Sequence, residues 1–205
     1  MTKHDKANDV KWSKRSTTYD NKRFNYFRFM QRHLIISLKL KANSNFLDLG
    51  CGTGWAVYYA SKICNEAGSF IGIDISDGMI KKAKQNYSYL KNVDFFHANS
   101  ESLPFKNNYF DFIICTNSFH HYSDPNKALL EVFRVLNKQG KFYILDVTSD
   151  DFFMKFIDKI VQKREKEHVK FYSKKEYIEM FNKNGLKHIK SKAFIYPMKI
   201  HIAEK

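Results

Sequence analysis

The sequence predicts an α/β fold: a mostly parallel sheet of seven strands, helices on both faces, and an antiparallel last strand. Three observations predict it. From residue 46 onward, short apolar runs alternate with stretches whose apolar residues recur at helical spacing, the pattern of successive βα units. The first run, "FLDL", breaks into "GCGTGW", which places three glycines in five residues between a strand and a helix. The end of the chain, "LKHIKSKAFIY" and then "MKIHIAE", alternates apolar and polar side chains like a hairpin.

In chain order, residues 11–40 read as helical cover, with Trp12, Tyr19, Phe24, Tyr26, Phe27, Phe29 and Met30 supplying apolar contacts. The first strand ends at Leu49. A helix runs through "GWAVYYASKICNEAG", and Gly68 is its expected stop. "SFIGID" is the second strand. Ser76 then caps a helix whose Met79, Ile80, Ala83, Tyr87 and Leu90 fall at helical spacing. "VDFFHA" and "FDFIIC" are strands three and four. Asp124-Pro125 joins a cap to a proline at the first helical position. Ala128, Leu129, Val132, Phe133 and Leu136 form the buried face of that helix, Gly140 is its expected end, and "KFYILDV" is the fifth strand. In "DDFFMKFIDKIVQKREKEH", Phe152, Phe153, Phe156, Ile157, Ile160 and Val161 make an apolar stripe. Ser173 and Glu176 have capping-box spacing before Tyr177, Ile178 and Phe181, and Gly185 ends that helix.

A chain of 205 residues with 43% apolar and 16% aromatic side chains favours one domain with a substantial core. Within it, residues 1–45 read as N-terminal helical cover, 46–147 as the ligand-binding core, and 148–205 as lid helices and C-terminal strands. No apolar run reaches membrane-spanning length, and "MTKHDKANDV" lacks the apolar segment of a secretory signal. Cys51, Cys64 and Cys115 are scattered, odd in number and without paired metal spacing, which suits reduced thiols and a cytoplasmic location. The formal charge of +14 is uneven: residues 1–45 carry net +8, 46–150 net −1, and 151–205 net +7. Basic flanks attract anionic partners such as nucleic acid. The abundance of Lys, Asn, Ile, Phe and Tyr gives a second reading, a compositional bias with no binding role.

A glycine turn between a first strand and a helix signals a nucleotide site. Here the dinucleotide fingerprint fails, because Trp55 stands where a third glycine or alanine belongs, and no GK[ST] follows for a triphosphate. Asp48 precedes the loop and would repel a pyrophosphate. The ligand this pattern calls for has a nucleoside, no phosphate and a positive charge. Asp74 ends the second strand about 20 residues after the loop, where a carboxylate accepts both ribose hydroxyls. Ile75 and Met79 are placed to cover a flat base.

"LDLGCGTGW", "GIDISDGMI", "ANSESLPF", "FDFIICTNSFHHY" and "ALLEVFRVLNKQGKFYILD" resemble, in order and spacing, the class I S-adenosylmethionine-dependent methyltransferases. The likeness is greatest to the branch (methyltransferase type 11) that includes ubiquinone/menaquinone methyltransferases and many small-molecule enzymes. It covers residues 10–147 well and the remainder loosely. The resemblance implies a Rossmann-like sheet and methyl transfer from S-adenosylmethionine, leaving S-adenosylhomocysteine. It implies that Gly50, Cys51, Gly52 and Gly54 admit the methionine part of the cofactor and that Asp48 favours its cationic groups. Asp74 would hold the ribose, with Ile75 and Met79 on the adenine. Where the family carries an acidic residue for the adenine amino group, this chain has Asn99, followed by Ser100 and Glu101; Asn keeps an acceptor and loses the charge. Thr116 and Asn117 would line the methyl-donor region, and Tyr19 resembles a tyrosine that closes over the cofactor. His120 and His121 follow, as a general base, as substrate-pocket residues, or as a helix-start feature. Methyl transfer needs little beyond in-line placement, so no catalyst is demanded, and no carboxylate cluster argues for a metal. A small-molecule acceptor leads, a tRNA acceptor on the basic flanks comes second, and a lipophilic acceptor at "FFMKFIDKIV" third. A non-catalytic binding protein for S-adenosylmethionine is the reading from another class. Oligomeric state is not written in these motifs.

Overall fold

The computed structural model describes residues 1–20, 25–65, 67–165 and 167–205. Phe24, expected among the apolar contacts of the cover, lies outside the described residues.

Among the described residues, two helices precede the sheet, α1 (Lys3–Arg15) and α2 (Asn25–Leu38). The first begins earlier than the apolar spacing indicates, because it is set by polar chemistry. The Thr2 side chain accepts from the Asp5 N–H while the Asp5 carboxylate accepts from the Thr2 N–H, a complete capping box. In α2, Met30, Leu34, Ile35 and Leu38 are buried, whereas Tyr26 and Phe29 face solvent and add little to the core.

The βα units follow: β1 (Asn45–Leu49), α3 (Trp55–Ile63), β2 (Ser69–Asp74), α4 (Asp77–Tyr87), β3 (Val93–His97), β4 (Phe110–Thr116), α5 (Pro125–Val135) and β5 (Leu136–Val147). Then come α6 (Phe152–Arg164), α7 (Lys174–Lys183), β6 (Lys187–Ala193) and β7 (Met198–Glu204). The sheet has seven strands in the order β3-β2-β1-β4-β5-β7-β6. The first five are parallel; β7 runs antiparallel to both β5 and β6, so the closing hairpin inserts its second strand into the sheet. Period-two alternation divides the core. Phe46, Phe70 and Ile114 pack with α2, α3 and α4 on one face. Leu47, Ile71 and Ile113 pack with α5 and α7 on the other.

Two boundaries differ from the sequence expectation. The helix α3 stops at Ile63, short of Gly68, because Asn65 adopts a left-handed conformation (φ 50°) and the chain turns before the glycine. The helix α5 ends at Val135: Leu136 already pairs with Phe110 on β4, and the left-handed residue near Gly140 is Gln139 (φ 64°). The apolar stripe of α6 does not enter the core. Phe152, Phe153 and Phe156 are 86%, 60% and 55% exposed, and the helix packs through Met154 and Asp158. No described helix is long and apolar enough to cross a membrane.

Candidate functional site

Strand order reverses between β1 and β4, and a cleft opens there at the carboxyl ends of the strands, where α/β sheets hold ligands. One wall is the loop after β1. The Gly50 and Cys51 N–H groups both donate to the Ile73 carbonyl at 2.9 Å, drawing the loop over the end of β2. Gly50 has φ +75°, and a Cβ there would lie 2.1 Å from Ser118 Oγ, so the turn requires glycine. Gly54 has φ +86° and serves packing: a Cβ would meet the Phe95 ring at 2.6 Å. It is absent from the cleft wall, unlike Gly50, Cys51 and Gly52.

Asp74 meets this loop directly. Its carboxylate accepts from the Gly52 N–H at 2.9 Å and from the Ser76 N–H at 2.8 Å. Burial raises its carboxyl above the usual range, opposed by those two backbone bonds. Ser76 in turn caps α4 through the Met79 N–H, and Ile75 and Met79 line the cleft beside Asp74. Asp48 lies on β1 between Gly72 of β2 and Ile114 of β4. It is wholly buried behind the cleft lining, of which it is not part, and neither carboxylate oxygen has a hydrogen-bond partner among the described residues. Burial, and then the charge of Asp74, push its pKa up to about 8. The Cys51 thiol is buried and held well above its ordinary value by burial and by the same two aspartates, which makes it inert as a nucleophile.

The roof comes from the N-terminal segment. Tyr19 lies over Gly52, and its phenol is raised by burial and by the charges of Asp74, Asp48 and Asp20. Asp20 accepts from Thr53 Oγ1 and Arg28, both at 2.8 Å, which ties the segment after α1 to the glycine loop. Ser13 Oγ lies 3.0 Å from Ser76 Oγ and accepts from the Gly78 N–H at 3.0 Å, docking α1 on α4. Asp5, Asn8 and Trp12 thereby face into the cleft. Sequence reasoning missed these three; the Thr2–Asp5 capping box was the one local signal that could have exposed them.

Asn99 is half-buried in the loop after β3. Its carbonyl oxygen accepts from the Glu101 N–H at 2.9 Å and its amide donates to Asp5 at 3.3 Å. The Asp5 carboxyl is held below its usual value: burial opposes ionisation, but bonds from Thr2 and Ser123 outweigh it. The negative charge absent at position 99 thus stands one hydrogen bond away. Glu101 accepts from Ser123 Oγ and the Asp124 N–H at 2.8 Å, and Ser100 lines the wall with it. Across the cleft, Thr116 accepts from Gln31 at 2.9 Å, and Asn117 adopts φ 51° with its buried amide nitrogen unpartnered among the described residues.

His121 lines the cleft and His120 does not. His121 Nδ1 donates to the Glu167 carbonyl at 2.8 Å, and Trp12 packs edge-on at 5.5 Å. Burial, then His120, push its pKa down to about 2, so it stays neutral and is a poor proton carrier. His120 Nδ1 donates to the fully buried Asp146 at 2.7 Å.

A glycine loop tied to a strand-end carboxylate, with a buried acid on β1 that has no partner among the described residues, marks the ligand cleft of an α/β protein. Residues 40–185 match the methyltransferase domain family, and the chain belongs to it. It is 32% identical over 157 residues to the uncharacterized methyltransferase YcgJ of Bacillus subtilis, covering 75% of this chain and 61% of that protein. It is 33% identical over 140 residues to the ubiquinone/menaquinone biosynthesis C-methyltransferase UbiE of Wigglesworthia glossinidia brevipalpis, covering 67% and 55%. The crystal structure of the Bacillus YcgJ protein superposes with a TM-score of 0.71 at 30% identity, over 81% of this chain and 73% of that one. The chain thus spans less than two thirds of the length of these two curated relatives.

Proposed function

We propose that the cleft binds S-adenosylmethionine and that the protein passes a methyl group to a small-molecule acceptor. The observation that carries this reading is Asp48. A buried carboxyl with no partner among the described residues, just before the glycine loop and under the charge of a second carboxylate, is costly unless a cation completes it. S-adenosylmethionine supplies an ammonium and, at its sulfonium, an activated methyl group. Asp74 keeps lone pairs for the ribose hydroxyls after accepting from Gly52 and Ser76. Ile75 and Met79 would flank the adenine, with Asn99, Ser100 and Glu101 at its amino edge. Thr116 and Asn117 would line the methionine arm, and Tyr19 would cover it. Placement alone supplies several kcal/mol toward transfer, so His120 and His121 need not act as bases.

The roof formed by α1 favours a small acceptor, since Asp5, Asn8 and Trp12 narrow the cleft. The name of the UbiE relatives makes aromatic carbon acceptors the first to try. Incubation with methyl-labelled S-adenosylmethionine and a panel of phenols, thiols and amines should transfer label to one class. Binding of the cofactor with no turnover on any class would leave a sensor or subunit role instead.

A further inference from the structure

Three histidines from two distant segments meet behind the cleft wall, which only His121 reaches. His120 and His121 form the 3-10 turn after β4, His168 lies between α6 and α7, and one ring nitrogen of each falls within 4.8 Å of the others. On every ring another bond is already fixed. His120 Nδ1 donates to Asp146 Oδ1 at 2.7 Å, His121 Nδ1 to the Glu167 carbonyl at 2.8 Å, and His168 Nε2 to Asp158 Oδ1 at 2.6 Å. Carbonyl and carboxylate oxygens only accept here, so each bond sets the tautomer. The lone pairs that remain are on Nε2 of His120, Nε2 of His121 and Nδ1 of His168.

The backing carboxylates are themselves held in place. Asp146 accepts from the His120 and Val147 N–H groups at 3.2 and 2.8 Å. Asp158 accepts from the Phe171 N–H at 2.9 Å and from Gln162 at 3.0 Å. The two segments are also stitched together, because the Val169 and Lys170 N–H groups donate to the His120 carbonyl. Neutral imidazoles whose second nitrogen donates to an oriented carboxylate or carbonyl are the arrangement by which proteins bind transition metals. Two buried carboxylates behind the rings bring negative charge that a cation would balance.

We propose that His120, His121 and His168 form a binding site for a divalent metal ion of the zinc class, with a fourth position open to water or to the oxygen or sulfur of an acceptor. Three nitrogens about 2.1 Å from a tetrahedral ion stand about 3.4 Å apart, and with ring nitrogens already within 4.8 Å of one another the rings need close by no more than about 1.4 Å. The site stands on its own geometry; its service to an acceptor rests on the methyl-transfer reading, since only His121 reaches the cleft wall. There the metal would lower the pKa of a coordinated thiol or hydroxyl, whose proton passes to solvent.

The test uses full-length protein without an affinity tag, stripped with a chelator and titrated with Zn²⁺ alone in competition with a chromophoric chelator, then with Co²⁺ followed by absorption. One equivalent of each should bind, and the cobalt spectrum should be that of a four-coordinate ion. His168→Ala and His120→Ala should each weaken zinc at least tenfold, and Asp158→Ala should weaken it by about 10- to 100-fold through loss of the backing bond. Thermal unfolding of each metal-free variant, with calorimetry using S-adenosylmethionine, reports whether the variant is folded and whether the cofactor reading holds, separately from metal uptake. A folded wild-type protein that takes up neither ion at micromolar concentrations overturns the proposal, as does zinc affinity unchanged in folded His168→Ala.

Discussion

The two ends of the cleft are built by different means. At the glycine-loop end the fixing contacts are made by the backbone: Gly50, Cys51 and Gly52 donate N–H groups to Ile73 and Asp74. At the histidine end they run mainly through side chains drawn from residues 4, 12, 120, 146, 158 and 168, as in the pairs His120–Asp146 and His168–Asp158. A backbone-built site is set by conformation and needs glycine at a few positions. A side-chain-built site can be rewritten by substitution without disturbing the fold. On the proposed function, cofactor binding would belong to the first region and acceptor choice to the second.

Asp74 is where this contrast is tested hardest. Asp74→Ala removes the proposed ribose contacts and also the acceptor for Gly52 and Ser76. The lost charged hydrogen bonds amount to about 1.5–3 kcal/mol, so S-adenosylmethionine affinity should fall about 10- to 150-fold by calorimetry. Unchanged affinity in a folded variant would mean that the nucleoside does not lie over β2. Gly54→Ala separates packing from binding within the same loop. The left-handed conformation alone costs about 1–3 kcal/mol, and Phe95 must also move. The melting temperature should drop by roughly 2–12 °C, with little change in cofactor affinity once the protein is folded at low temperature. A large affinity loss without destabilisation would place Gly54 in the cleft after all.

A smaller effect is expected where the two construction styles meet, at Asn99. Asn99→Asp sets a second carboxylate against Asp5, at a cost of about 1 kcal/mol, and binding should weaken about fivefold. The double change Asp5→Asn with Asn99→Asp should recover most of it. If the single variant instead binds more tightly, Asp5 does not supply the charge at the adenine edge. The smallest effect concerns the basic flanks. Lys11 is paired with Glu165 and Glu167, Arg28 with Asp20, Lys170 with Glu176 and Lys199 with Asp150. Gel shifts with bulk tRNA should therefore show weak binding that Lys3, Lys6 and Lys14 changes to glutamine do not alter. Tight binding that falls with each lysine removed, with a steep salt dependence, would promote the tRNA reading.

The same contrast explains what the sequence made legible. Strand β2 and the cap Ser76 could be read because glycine spacing, period-two burial and N-cap chemistry are local signals, and they carry Asp74 with them. The start of α1 was missed because its helix is polar and lacks an apolar period. What the exposed face of α6 meets could not be read, because an amphipathic stripe states which residues are apolar and not what covers them. Only folding brings His168 to His120, 48 positions away, so carboxylates and cysteines counted along the chain gave no hint of that cluster.

The most direct test of the central claim counts protons at Asp48. Without ligand its carboxyl is raised to about 8, so it is mostly protonated at neutral pH, and a bound cation favours the ionised form. A raised carboxyl burdens the cofactor-free fold progressively as pH climbs from about 4 toward 8, and a cation relieves that burden. Titration calorimetry with S-adenosylmethionine at pH 7, in buffers of different ionisation enthalpy, should show release of close to one proton per molecule bound. Release should vanish above about pH 9 and in Asp48→Asn, whose affinity should be lower. Tight binding with no proton released at pH 7, or release that persists in Asp48→Asn, would contradict the assignment of Asp48 as the partner of the cofactor's charge.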